Sequence, residues 1–157
     1  MANLLIIEGT PGSGKTTLVN RLSKELGLPV FPRNRTLDSS VSLHYDYNLV
    51  TFNTLDYDCI FDRSIWSDVI FSYIRQRLDV RDKFFEMRSV LRAKHKYMIV
   101  FADTAEPLQT HSAYNELDFQ TMRNIYYPLL VDEDWMPYNM RYPEDTNLIA
   151  LRWNKFA

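Results

Sequence analysis

Residues 9 to 16 match the pattern G-x-x-x-x-G-K-[ST] of a phosphate-binding loop without a mismatch. They read Gly9-Thr10-Pro11-Gly12-Ser13-Gly14-Lys15-Thr16, and a second threonine, Thr17, follows. Three of the four glycines in the chain lie in this stretch, whereas ordinary turns would spread them along the sequence. Glycine allows positive φ and lets backbone N–H groups approach an anion. The stretch therefore predicts a loop that wraps a phosphate.

The residues on both sides of the loop fit the strand and the helix that such a loop connects. Leu4-Leu5-Ile6-Ile7 is a short apolar run, which is typical of a fully buried parallel strand. After the loop, Leu18, Val19, Leu22 and Leu26 recur at helical spacing until Gly27 supplies a C-terminal stop. The motif thus has the structural context that its chemistry requires.

The chemistry predicted for this loop is the binding of ATP with Mg²⁺. Backbone amides and the positive end of the helix would hold the β-phosphate, and Lys15 would reach the β- and γ-oxygens. The hydroxyl of Thr16 would ligate Mg²⁺. The predicted ATP-binding residues are Gly9, Pro11, Gly12, Ser13, Gly14, Lys15, Thr16 and Thr17.

Length and composition predict one globular domain over residues 1–157. The chain is 46% apolar and 14% aromatic, which is enough to build a core. No apolar run approaches the roughly 20 residues of a membrane span, and no basic segment precedes the first hydrophobic stretch. The expected location is the cytoplasm, without membrane contact. The single cysteine, Cys59, lies in an apolar run and is predicted to be a core residue.

Strand and helix patterns alternate along the chain. Further strands are predicted over residues 28–31, 58–62, 97–101 and 138–142. Helices are predicted over residues 66–74, 84–91 and 119–129 and from Pro143 onward. Residues 36–57 show weak periodicity and are interpreted as loop and irregular helix, where a substrate pocket would be built. The alternation predicts a three-layer α/β fold with a five-stranded parallel sheet, helices on both faces and ligands at the carboxyl edge.

A second motif, Asp62-Arg63-Ser64, ends the third predicted strand, and Ser67 follows it three residues later. A carboxylate at this edge of the sheet is a hard oxygen ligand for Mg²⁺, and the adjacent arginine can fork onto phosphoryl oxygens. Asp62 and Arg63 are therefore predicted to be catalytic, as is Lys15. The alternative interpretation is a surface ion pair at the start of the next helix, with Ser64 as its N-cap.

With Ile6-Ile7-Glu8-Gly9 leading into the loop, these segments resemble the thymidylate kinase and deoxynucleoside kinase group of P-loop kinases. That group carries an acidic residue and an arginine after the third strand, then a serine and an aromatic residue. The resemblance implies the P-loop NTPase fold and phosphoryl transfer from ATP to a nucleotide or nucleoside. The chain is short for the group, and this compactness is similar to that of phage-encoded kinases.

The chain departs from the thymidylate kinase pattern in its loop and in its lid. Pro11 stands where these enzymes usually carry aspartate, and Gly12 stands where one class carries arginine. The other class uses lid arginines, but residues 105–119 contain none. The charge of the transition state would then be stabilised by Lys15, Mg²⁺ and Arg63, together with Arg123 or Arg33, unless the substrate differs from thymidylate.

Two kinds of phosphoryl acceptor fit the residues after the second strand. A monophosphate needs no base, and Arg33 and Arg35 would suit its phosphate. A hydroxyl acceptor benefits from a carboxylate that takes its proton, and Asp38 is the nearest candidate for this catalytic role. Asp38 fits a solvated turn equally well. The basic cluster directly after the strand favours the monophosphate.

Glu8, Ser67 and Trp66 complete the predicted substrate side of the site. Glu8 would hold Lys15 or a metal-bound water, or would simply end its strand. Trp66 and the aromatic residues at positions 45, 47, 52 and 73 would stack on a base, although core packing is the commoner role for each. The predicted substrate-binding residues are Glu8, Arg33, Arg35, Trp66 and Ser67.

Two further functions stay open from the sequence alone. A kinase of a hydroxyl on DNA or on a modified base, such as hydroxymethyluracil in DNA, is favoured by Pro11 and Asp38. The net charge of −2 and the isoelectric point near 5.9 disfavour DNA, because they provide no basic footprint. The absent lid arginines also permit a slow P-loop NTPase with a regulatory binding role. The sequence does not determine the base or the sugar of the acceptor, and a homodimer stays possible as the oligomeric state.

Overall fold

The computed structural model describes residues 1–31, 41–74, 79–103 and 116–157. Within these ranges five strands form one sheet, in the order β2-β3-β1-β4-β5, and every pairing is parallel. The strands are β1 (Asn3–Gly9), β2 (Val30–Phe31), β3 (Cys59–Asp62), β4 (Lys96–Ala102) and β5 (Trp135–Tyr138). The predicted five-stranded parallel sheet is confirmed.

Helices cover both faces of this sheet. The helices of the described ranges are α1 (Lys15–Leu26), α2 (Val41–Thr54), α3 (Ile65–Ile74), α4 (Asp79–Lys94), α5 (Glu116–Leu130) and α6 (Thr146–Phe156), the last preceded by a 3-10 turn over Pro143–Asp145. Leu5 and Ile7 of β1 pack in a cluster with α1 and α6, whereas Leu4 and Ile6 pack in a second cluster with α2 to α5. Alternate residues of one strand therefore face two cores, which explains its unbroken apolar run. The three-layer α/β class is confirmed.

The position of β1 in the middle of the sheet brings two other strand ends to the phosphate loop. Ile7 pairs with Asp62 of β3, and Gly9 pairs with Ala102 of β4. Asp103 follows β4 directly. Two carboxylates therefore flank the loop, one on each side. None of the described helices is long and apolar enough to cross a membrane.

Two sequence predictions on secondary structure were wrong. Val41–Thr54 forms the regular helix α2 inside the stretch interpreted as loop and irregular helix. Its apolar residues do not share one stripe, since Val50 is exposed while Phe52 is buried, so tertiary packing rather than local pattern supports the helix. Strand β5 begins at Trp135 and ends at Tyr138, earlier than predicted. It contains Pro137, which a sheet tolerates because β5 is an edge strand.

Candidate active site

The loop between β1 and α1 adopts the backbone conformation that its glycines allow. Gly12 has φ of 74° and Gly14 has φ of 79°, values that L side chains rarely adopt. A Cβ atom on Gly14 would also lie 3.0 Å from the Cβ of Met140. Helix α1 begins at Lys15, so its first N–H groups, which have no intrahelical partners, face the loop.

Gly9 allows β1 and β4 to approach each other where the loop starts. A Cβ atom on Gly9 would lie 2.3 Å from the carbonyl oxygen of Ala102. We expect Gly9→Ala to lower the free energy of unfolding by about 1–3 kcal/mol, because the two strands must separate to admit the methyl group. Urea unfolding measures this loss, and Asn20→Ala on the exposed face of α1 is the control. Equal unfolding midpoints for Gly9→Ala and the wild type would contradict the expectation.

Lys15 and Asp62 meet at the mouth of the loop. The Nζ of Lys15 donates a hydrogen bond to Oδ1 of Asp62, and the two side chains are 10% and 25% exposed. Burial lowers the pKa of Lys15, the Arg63 charge lowers it further, and Asp62 opposes both. The pair thus joins the cation of the loop to the carboxylate at the end of β3.

Arg63 lies beneath the loop in a strained backbone conformation. Its φ of 70° is in the left-handed region that residues other than glycine seldom occupy. Its Nη1 donates to the carbonyl oxygen of Gly9 at 2.8 Å and to Oγ of Ser67 at 3.1 Å. The backbone N–H of Arg63 donates to the carbonyl oxygen of Ile7 at 2.9 Å. Arg63 is therefore bonded to the end of β1 by its backbone and by its side chain.

Glu8 is completely buried beside Arg63. Its carboxylate accepts hydrogen bonds from the backbone N–H groups of Ser64 at 2.7 Å and Ser67 at 3.3 Å, from the hydroxyl of Ser67, and from the hydroxyl of Tyr126 at 3.1 Å. Desolvation raises the pKa of Glu8, while the Arg63 charge and these hydrogen bonds oppose the increase. The hydrogen bonds of Glu8 therefore hold the start of α3 and the middle of α5 rather than Lys15.

Asp103 occupies the other side of the loop. It accepts a hydrogen bond from Oγ1 of Thr10 at 3.1 Å, and its two oxygens accept from Nε of Arg123 at 3.1 and 2.9 Å. Asp103 therefore links the loop to α5. A cleft of 490 Å³ opens beside it at the carboxyl ends of β4 and β5. The cleft is lined by Asp103, Arg123, Pro137, Tyr138, Asn139 and Asp145.

The residues present at the loop fit a nucleoside triphosphate with Mg²⁺. The glycines of positive φ open the backbone to an anion, Lys15 supplies a cation, and the hydroxyl of Ser13 is buried without a hydrogen-bond partner among the described residues. Mg²⁺ is commonly held by one or two carboxylates together with phosphate oxygens. Thr16 and Asp62 would supply the protein oxygens for such a site. The described ranges contain no cluster of three His, Cys, Asp or Glu residues that could hold a metal without a ligand.

Comparisons with known proteins agree with this geometry. No family model and no curated protein sequence matches the chain. Among solved structures, deoxyadenosine kinase from M. mycoides has a TM-score of 0.64 and 15% identity, with 98% of this chain and 100% of that chain covered. The YorR protein from Bacillus subtilis, in complex with phosphorylated GDP, has a TM-score of 0.72 and 16% identity, covering 96% and 95%. The chain has the fold of P-loop nucleoside and nucleotide kinases.

A nucleotide kinase of the same fold is also similar to this chain. Thymidylate kinase from Candida albicans has a TM-score of 0.59 and 15% identity, and the match covers 97% of this chain and 92% of that chain. The fold implied by the sequence resemblance is therefore confirmed over nearly the whole chain.

The P-loop kinase fold brings most predicted site residues together but excludes Trp66. Trp66 is fully buried, with ring centroids 5.8 Å from Phe84 and 5.6 Å from Tyr97, so its interpretation as a base-stacking residue was wrong. Ser67 is buried in the hydrogen-bond network of Glu8. Thr16 and Thr17 are exposed at the start of α1. Arg33, Arg35 and Asp38 lie outside the described residues.

Two contacts of the site, Tyr126 with Glu8 and Arg123 with Asp103, were not predicted from the sequence. Tyr126 belongs to the apolar stripe of α5, and no local signal marks its hydroxyl as a partner of a buried carboxylate 118 positions earlier. The sequence presents Arg123 only as a candidate cation for the transition state and does not connect it with Asp103, which directly follows β4. Their pairing depends on the packing of α5 against the end of β4, which only the folded chain reveals.

Proposed function

We propose that the protein transfers the γ-phosphoryl group of ATP, with Mg²⁺, to a nucleotide or a nucleoside. The observation that carries this proposal is the Lys15–Asp62 pair at the mouth of an intact phosphate loop. The loop supplies amides and a cation for the triphosphate, and Asp62 supplies the metal-binding oxygen beside it. The kinase neighbours support the same reaction class.

The residues of the loop bind and orient the triphosphate in this proposal. The α1 N-terminus and the loop amides would hold the β-phosphate. Lys15 would leave Asp62 and bind the β- and γ-phosphate oxygens. Thr16 and Asp62 would hold Mg²⁺, which would neutralise part of the negative charge of the triphosphate. Asp103 keeps the loop in place through Thr10.

Arg63 is proposed to stabilise charge on the transferring phosphoryl group. Its guanidinium is bonded to the carbonyl oxygen of Gly9 at the start of the loop, and a planar guanidinium suits the oxygens of a phosphoryl group. The proximity of Arg63 to both Gly9 and the metal-binding Asp62 supports this role.

The cleft beside Asp103 is proposed to receive the nucleoside of ATP. It opens at the carboxyl edge of the sheet, where parallel α/β folds bind ligands, and Asp103 connects it to the loop through Thr10. The cleft volume of 490 Å³ is within the range of about 300–1,000 Å³ that is usual for small-molecule sites. We further propose that the protein acts in the cytoplasm, where its nucleotide substrates are present.

The acceptor is proposed to be a monophosphate bound on the β2 side of the sheet. Arg33 and Arg35, which follow β2 in the sequence, would contact its phosphate. The M. mycoides enzyme was solved with dCMP and dCDP, and YorR was solved with phosphorylated GDP, which supports an acceptor of the mononucleotide or nucleoside class.

Product analysis with labelled ATP identifies the acceptor. Mononucleotides, nucleosides and DNA are offered separately, and we expect label in a nucleoside diphosphate. Asp38→Ala should then leave kcat nearly intact, because an anionic acceptor needs no base, while Arg33→Ala or Arg35→Ala should raise KM for the acceptor.

A hydroxyl acceptor would give the opposite pattern. Asp38→Ala would then lower kcat on the order of 10²-fold or more, and both arginines would be dispensable. Label transferred to DNA would indicate a DNA hydroxyl kinase. Release of inorganic phosphate with every acceptor would contradict kinase activity and indicate a slow NTPase.

A further inference from the structure

Glu8 is the buried centre of a hydrogen-bond network that joins three elements. Its Oε1 accepts from the backbone N–H groups of Ser64 and Ser67 at the start of α3. Its Oε2 accepts from the hydroxyls of Ser67 and Tyr126, the latter on α5. Each carboxylate oxygen thus receives two donors. This number of donors offsets much of the cost of burying a charge away from water.

The network fixes the direction of the hydrogen bonds that lead to Arg63. Because Ser67 donates its only proton to Glu8, its Oγ must act as an acceptor toward Arg63, whose Nη1 lies 3.1 Å away. The same Nη1 donates to the carbonyl oxygen of Gly9 at 2.8 Å. A continuous chain therefore runs from Glu8 through Ser67 and Arg63 back to Gly9, the residue after Glu8.

The negative charge of Glu8 also attracts the positive charge of Arg63 at the other end of this chain of hydrogen bonds. Arg63 is held at φ of 70°, a left-handed conformation that is unfavourable for a residue other than glycine. Such a conformation persists when surrounding contacts determine it. The contacts that do so here include the backbone bond to Ile7 and the side-chain bonds to Gly9 and Ser67.

On the basis of the function proposed above, we propose that Glu8 is a positioning residue for phosphoryl transfer. It touches neither ATP nor the acceptor. Through Ser67 it holds the Arg63 guanidinium against Gly9, and it thereby fixes the distance between the Asp62–Arg63 turn and the phosphate loop. Small displacements at such a turn are costly because phosphoryl transfer depends on the alignment of the groups around the phosphate.

Glu8→Gln is the sharpest test because it keeps the volume of the side chain and removes the charge. The glutamine oxygen can still accept from Ser64 and Ser67 N–H, but its NH₂ group faces two hydroxyls and reverses their direction. We expect kcat to fall about 10- to 100-fold, the scale of loss when a catalytic group is misplaced or when a residue that orients a functional side chain is changed. The dissociation constant of ATP should change little, because the loop amides and Lys15 are retained.

Ser67→Ala provides an independent variant in which the charge of Glu8 stays. It removes the link to Arg63, so kcat should fall as in Glu8→Gln. The double variant should be no slower than Glu8→Gln, because both changes interrupt the same chain. Tyr126→Phe removes a donor to Glu8 and a long contact of 3.5 Å with Arg63 but keeps the link through Ser67, so its loss in kcat should be smaller than that of either variant.

The wild type is assayed in parallel so that two failures can be told apart. If the wild type transfers phosphate to none of the acceptors, both the proposed function and this inference are overturned. An active wild type with unchanged kcat in Glu8→Gln or Ser67→Ala would overturn this inference alone. Additive losses in the double variant would also overturn it, and so would ATP affinity falling in parallel with kcat.

Discussion

Replacing Lys15 by alanine is expected to abolish most of the stabilisation that ATP with Mg²⁺ gives to the protein. Lys15 begins α1 at the phosphate loop and is the cation proposed to face the β- and γ-phosphates. At a nucleotide concentration 100 times the dissociation constant, the wild type should gain about 2.7 kcal/mol of stability. A thermal-shift titration measures the gain in each variant.

The comparison uses the gain on adding ATP rather than the melting temperature itself. Lys15→Ala leaves Asp62 without its ion-pair partner, so the ligand-free protein also changes. Lys24→Ala removes the same charge from an exposed position in the last turn of α1 and should keep the full gain. An undiminished gain in Lys15→Ala would refute the assignment of the phosphate loop.

Asp62→Asn is expected to lower turnover and to weaken the binding of Mg²⁺, so that more Mg²⁺ is needed for half-maximal turnover. The substitution keeps the shape of the side chain but removes the charge that pairs with Lys15 and that is proposed to bind the metal. Metal affinity should fall at least about 10- to 100-fold, the loss that even outer-shell changes cause at metal sites. Turnover measured across a Mg²⁺ titration, with ATP saturating, reports the shift.

Two further variants separate the metal role of Asp62 from other effects. Arg63→Ala should lower kcat with less change in the Mg²⁺ dependence, because it removes a donor to the phosphoryl group. Asp132→Asn changes an exposed carboxylate before the amino end of β5, far from the carboxyl edge, and should behave as the wild type. Identical Mg²⁺ curves for Asp62→Asn and the wild type would leave Asp62 as a partner of Lys15 only.

The parts of the fold that the sequence predicted are those that consecutive residues encode. The loop from Gly9 to Thr16 is one uninterrupted pattern, and β1 is one uninterrupted apolar run. The meeting of Asp62 with the loop was also predictable, because carboxyl ends of adjacent parallel strands share an edge. The ion pair itself was not, since Lys15 and Asp62 are 47 positions apart.

The parts that sequence reasoning missed depend on packing between distant elements. Helix α2 carries polar and apolar residues without a clear stripe, so only its contacts in the folded chain support it. Trp66 has the same local signature whether it faces solvent or fills the space between Phe84 and Tyr97. The left-handed conformation of Arg63 has no signal in the sequence, because the contacts that hold it come from Ile7, Gly9 and Ser67.

The Lys15–Asp62 pair would couple the binding of the metal to the binding of the triphosphate. A triphosphate that arrives without a metal must draw Lys15 away from Asp62 and then faces an uncompensated carboxylate. A divalent cation that arrives alone meets a carboxylate already neutralised by an ammonium group. Each ligand therefore removes the obstacle to the other, and by linkage each raises the affinity of the other by the same factor. In the proposed function, this ion pair would make the binding of metal and nucleotide cooperative and would disfavour polyanions that carry no metal.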